Sequence, residues 1–88
     1  MAKHILLVDD EPGILSSLRR LLRPAGYQIF TAESGKAGLE ILERERIDLV
    51  ISDMRMPEMD GAKFLEQVRA RWPAVTRIMI TRGCLMES

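Results

Sequence analysis

Four apolar runs, at residues 4–8, 27–32, 47–52 and 75–80, are each too short for a stable helix, and each is followed by a change of pattern. The first and third are continuous enough to be strands covered on both faces. The second is richer in β-branched and aromatic residues, with Tyr27, Ile29, Phe30 and Thr31. Between them lie stretches of helical period. Glu11-Pro12-Gly13 opens a helix whose stripe is Ile14, Leu15, Leu18, Leu21 and Leu22, with Arg19, Arg20 and Arg23 outside it, and Pro24 and Gly26 stop it. Ser34 caps a second helix that runs to about Arg44, with Leu39 and Leu42 inward. Asp60 caps a third from Gly61, with Phe64, Leu65 and Val68 as its buried face, and Trp72-Pro73 ends it. Strand and helix therefore alternate with short connections, which predicts an α/β fold: a parallel sheet with helices on both faces.

Size and charge narrow the function classes. The chain has 88 residues, enough for one small domain, and 47% of them are apolar, which argues against disorder. Thirteen basic residues balance thirteen acidic ones, so no direct nucleic-acid partner and no anionic membrane surface are expected. No apolar run is long enough to span a bilayer, and Met1-Ala2-Lys3-His4 lacks the apolar core of a secretion signal. The single cysteine, Cys84, has no partner for an internal disulfide. A cytoplasmic location is the expectation.

In open parallel sheets, ligands sit beyond the carboxyl ends of the strands. That rule selects Asp9 and Asp10 after the first strand, Asp53 after the third and Thr81 after the fourth. Three carboxylates brought together raise one another's pKa unless a cation lies among them. An all-oxygen set that keeps waters and accepts phosphate oxygens suits Mg2+. An aspartate can also act as a nucleophile toward phosphorus.

The stretches Ile5-Leu6-Leu7-Val8-Asp9-Asp10-Glu11, Asp53-Met54-Arg55-Met56-Pro57-Glu58-Met59-Asp60-Gly61 and Ile80-Thr81 resemble the receiver domain of two-component response regulators, in order and spacing, over roughly residues 3 to 82. The resemblance implies a flavodoxin-like, doubly wound sheet of order 2-1-3-4-5 and phosphotransfer from the phosphohistidine of a sensor histidine kinase or phosphotransfer protein to Asp53. It further implies Mg2+ bound by Asp10, Asp53 and the backbone carbonyl of Arg55, with Asp9 acting through a water, and Thr81 as the switch hydroxyl. Such a module is a signalling domain, not a multiple-turnover enzyme.

The chain departs from that pattern after Thr81. No lysine follows Lys63, although receivers place one at the end of the fifth strand, and Arg82 stands where a small residue is usual. The expected architecture is accordingly a C-terminally truncated receiver over residues 1–82, with four strands in the order 2-1-3-4 and three helices, the fifth strand and last two helices missing, and an irregular tail over 83–88. A fourth strand left at the sheet edge invites pairing with another chain, so a homodimer is expected. Two other readings stand beside the phosphoacceptor: a decoy or assembly module that binds kinase or partner subunits without switching, and a magnesium phosphohydrolase. The latter generally needs an acid two residues after the nucleophile, where this chain has Arg55. Structural roles are assigned to His4, Pro57, Asp60-Gly61 and Trp72, space-filling to Met54, Met56 and Met59, and no reactive role to Cys84.

Overall fold

β1 (His4–Val8), β2 (Gln28–Ala32), β3 (Leu49–Asp53) and β4 (Thr76–Thr81) are joined by α1 (Pro12–Leu22), α2 (Gly35–Arg44) and α3 (Gly61–Arg71), and β5 (Cys84–Glu87) follows. These come from a computed structural model that describes residues 3–54, 59–81 and 84–87, with side chains for 3–54 and 59–80. The sheet order is β2-β1-β3-β4-β5, and β1 to β4 are mutually parallel. The four parallel strands in the order 2-1-3-4 with three helices are those the sequence predicts. Among the described residues no helix is long and apolar enough to cross a membrane.

Alternation along β1 explains why its run is unbroken. Ile5 and Leu7 join Leu15 of α1 in one core cluster, whereas Leu6 and Val8 join Leu42, Phe64, Leu65 and Val68 of α2 and α3 in the other. A strand covered on both faces has no position for a polar residue. The larger cluster lies on the face that two helices share, and Phe64, Val68, Leu6 and Val50 are fully buried there. Each such side chain contributes about 1.5–3 kcal/mol on burial.

Local chemistry sets the helix ends. Pro12 occupies the first turn of α1, where its missing N–H removes no helical bond. A single 3-10 turn (Arg23–Ala25) closes on Gly26, whose φ of 84° lies in the left-handed region open to glycine. Ser34 Oγ accepts from the Ala37 N–H at 3.1 Å, and Asp60 Oδ1 accepts from the Lys63 N–H at 2.8 Å, as their spacing predicts. Strand boundaries move slightly. Ile47 and Val75 are buried just ahead of β3 and β4, and Asp53 is the last residue of β3 instead of the first beyond it.

The tail is where expectation and structure part. Residues 83–88 are predicted to be irregular, but Cys84–Glu87 pairs antiparallel with β4, with Thr81 opposite Cys84 and Ile78 opposite Glu87. The physical reason is the ladder: an edge strand presents unpaired N–H and C=O groups, and the chain turns back to satisfy them. The sequence reading leaves the fifth strand missing, whereas the structure has one, β5, antiparallel to β4. β4 is not a bare edge.

Candidate functional site

The parallel registers align the carboxyl ends of the strands. Val8 lies between Ala32 and Ser52, and Asp53 pairs with Ile80. Asp9, one residue past the end of β1, donates its N–H to the Ala32 carbonyl at 3.0 Å, and its Oδ1 accepts from the Glu11 N–H at 2.9 Å. These two bonds hold Asp9 at the rim. The Met54 N–H donates to the Ile80 carbonyl at 3.1 Å, which fixes the chain just after Asp53.

The result is one acidic cluster. Carboxylate oxygens of Asp9, Asp10 and Asp53 all lie within 4.8 Å of one another, and Asp9 and Asp53 are only 5% and 8% exposed. Among the described residues no cationic side chain is ion-paired with any of the three. Burial holds the Asp9 carboxyl above its ordinary value; the Glu11 amide pulls it down, and the charges of Asp53, Asp10 and Glu11 push it up again. A donor set of carboxylate oxygens in mutual repulsion fits a hard divalent ion, Mg2+ or Ca2+, and offers nothing to a soft one.

Three of the residues selected from sequence are therefore brought together. Thr81 follows directly after the partner of Asp53 at the end of β4; its side chain, like the Arg55 carbonyl, lies outside the described residues. Pro57, Met56 and the Cys84 side chain lie outside them as well. The residues read as structural occupy structural places. His4 donates from Nδ1 to the Arg46 carbonyl at 2.7 Å and meets Phe30 edge-on at 5.8 Å, and Trp72 carries the Arg71 guanidinium 4.4 Å over its ring. Met59 packs on the larger core cluster, whereas Met54, expected to fill space, is exposed.

Two neighbours of Asp53 escape sequence reasoning. Ser52, fully buried, donates its hydroxyl to the Asp53 carbonyl at 3.0 Å. Its only signal is a polar residue in an apolar run. Gly61 donates its N–H to the Met54 carbonyl at 2.9 Å and lies against the Asp53 backbone, a role that helix-start reasoning about Asp60-Gly61 does not reach.

Residues 5–84 match the family described as the response regulator receiver domain. The chain is 49% identical over 78 residues to the transcriptional regulatory protein GlrR of Escherichia coli (strain K12), which covers 89% of this chain and 18% of that protein. It is 42% identical over 69 residues to the sporulation initiation phosphotransferase F of Bacillus subtilis (strain 168), covering 78% of this chain and 56% of the relative. Among solved structures it is similar to the response regulator protein TrrA of Thermotoga maritima, in complex with Mg2+-BeF, with a TM-score of 0.86, 38% identity, and 90% of this chain and 69% of that one covered. The chain thus spans less than a fifth of GlrR and little more than half of the phosphotransferase.

Proposed function

The chain belongs to the response regulator receiver domain family, and from that premise we propose that Asp53 accepts a phosphoryl group, with a magnesium ion held among Asp9, Asp10 and Asp53. The observation that carries this reading is the convergence of three carboxylates at aligned strand ends, with Asp53 the only one of them that terminates a strand. The Mg2+-BeF complex of TrrA supports the choice of ion. When bound, magnesium neutralises phosphoryl oxygens and keeps them in line with the attacking oxygen.

The chain's own groups do the rest. An Asp53 carboxylate oxygen attacks phosphorus, the P–N bond to the donor imidazole breaks, and the imidazole regains a proton. Asp10 and Asp53 would hold the ion directly and the Arg55 carbonyl would add a ligand, while Asp9, fixed by the Glu11 and Ala32 backbone, would act through a water. The Thr81 hydroxyl would hydrogen-bond the phosphoryl group on Asp53 and move toward it as the switch. The donor is the phosphohistidine of a sensor histidine kinase or of a phosphotransfer protein. In this reading the chain is a cytoplasmic signalling module that catalyses only its own phosphorylation and touches neither nucleic acid nor membrane directly.

A homodimer is part of the proposal, on a different basis from edge pairing. α1 lies against β1 and β2, and no described helix covers the same face of β4, where half-buried Ile78 and Ile80 alternate with Met79 of the opposite face. Sedimentation that finds only monomer at micromolar concentration removes this part alone.

The decoy reading rests on one departure within the matched residues, Arg82 where a small residue is usual after Thr81. Incubation with a small acyl phosphate and Mg2+, followed by intact mass, separates the two. The phosphoacceptor reading expects a gain of one phosphoryl group that is absent in Asp53→Asn. No gain in the parent leaves the decoy.

A further inference from the structure

We infer that Gly61 is a positioning residue for Asp53: its bare α-carbon lets the first turn of α3 rest directly on the peptide that joins Asp53 to Met54. This rests on the phosphoacceptor reading only in naming Asp53 as the group that must be placed.

A methyl group built on Gly61 would overlap the Asp53 carbonyl oxygen outright and would lie 2.9 Å from both the Asp53 carbonyl carbon and the Met54 α-carbon. All three are backbone atoms, so no side chain can swing away to make room. The peptide they belong to is already held on its other sides. Ser52 Oγ donates to the Asp53 carbonyl at 3.0 Å, the Met54 N–H donates to Ile80 at 3.1 Å, and the Met54 carbonyl accepts from the Gly61 N–H at 2.9 Å. Any added atom must therefore move either α3 or the main chain of Asp53. α3 is held as well, since Phe64 and Val68 are fully buried and Asp60 caps its start. Asp53 must therefore take part of the displacement, and its carboxylate has to stay within reach of Asp9 and Asp10. The other crowded glycines are different in kind: the atoms nearest a methyl group on Gly35 or Gly38 belong to side chains, those of Met59, Phe64 and Val8.

The test compares Gly61→Ala with Val68→Ala, which damages the same helix two turns away from the site. Both are read by magnesium titration calorimetry and by phosphoryl uptake from a small acyl phosphate, with folding followed by far-ultraviolet circular dichroism in sucrose, which favours the compact state. The expected result is a folded Gly61→Ala that binds Mg2+ about 10-fold or more weakly and takes up phosphoryl about 100-fold more slowly, as a misplacement of about 1 Å implies. Val68→Ala should keep the parental Mg2+ affinity. Parental affinity in folded Gly61→Ala overturns the inference. So does equal weakening in Val68→Ala, and so does failure of Gly61→Ala to fold in sucrose while Val68→Ala folds, because Gly61 is then a folding residue only. A parent that binds Mg2+ but takes no phosphoryl group sinks the acceptor reading while the magnesium comparison still decides Gly61. A parent that binds no Mg2+ sinks both, and Gly61 has then no site to place.

Discussion

Where the strands enter the sheet, Asp48 accepts the His4 backbone N–H at 2.9 Å, and that bond, helped by Arg46, His4 and Lys3 nearby, holds its carboxyl below the ordinary value. Where they leave it, Asp9 is buried beside Asp53 and Asp10, and its carboxyl is held above that value. The same residue type thus stabilises the fold at one pole and strains it at the other. Strand-entry polar groups are satisfied by the chain itself, whereas the acids at the strand exits are arranged so that an added cation would relieve them. A concentration of unfavourable charge at one rim of an otherwise consistent fold is what a binding site looks like in energetic terms.

The largest effect is expected from the layer that supports both poles. Phe64 is fully buried among α2, β1 and α3, and its ring lies against Gly38, where a Cβ would come within 3.0 Å. Phe64→Ala should cost about 3–5 kcal/mol, a large share of the total available to a domain of this size. Urea unfolding measures it. If the loss falls below about 1 kcal/mol, the two-helix face does not carry the fold and the comparison loses its common support.

A smaller change separates capping from binding. Asp60 is acidic, close in sequence to Asp53 and exposed, and its carboxylate accepts from the Lys63 N–H. Asp60→Ala should cost about 1 kcal/mol by the same unfolding measurement and leave Mg2+ affinity unchanged. Parental stability together with weakened Mg2+ binding would instead enlarge the site to a fourth carboxylate.

The two poles were not equally legible in the sequence. Periodicity and caps reach the strands, the helices and the rim, because the run 4–8, the spacing of Phe64, Leu65 and Val68, and Ser34 and Asp60 act over a few residues. Asp9, Asp10 and Asp53 follow from the rule that parallel strands end together. What was not legible depends on contacts distant in sequence or on close approach. The Asp48–His4 bond joins residues 44 apart, and nothing in either neighbourhood announces it. Gly61 against the Asp53 carbonyl is a matter of ångströms between two backbones. The strand at Cys84–Glu87 has no period of its own; it exists because β4 offers it a ladder.

The smallest effect tests the contrast between the poles directly, through pH. For Asp48 the folded state binds its proton more weakly than the unfolded chain, whose carboxyl titrates near 3.8. Its contribution is therefore present above that pH and lost as pH falls through the lowered value. For Asp9 the sign reverses. The folded state binds the proton more tightly, so the advantage exists below 3.8 and disappears as pH rises through the raised value. In chelator, Asp9→Asn should remove a decline in stability on the alkaline side of 3.8, and Asp48→Asn should remove a decline on the acid side. The Glu11 amide offsets part of the burial and repulsion at Asp9, so its effect should stay below about 1 kcal/mol, the size of one hydrogen bond. Thermal melts from pH 3 to pH 7 at about 0.1 M salt read both limbs. Added Mg2+ should abolish the Asp9 limb and leave the Asp48 limb untouched, because among the described residues three carboxylates converge only at the strand exits. Equal sensitivity of the two limbs to Mg2+ would mean that the ion acts as a general counter-charge, and the distinction between a satisfied end and a waiting one would disappear.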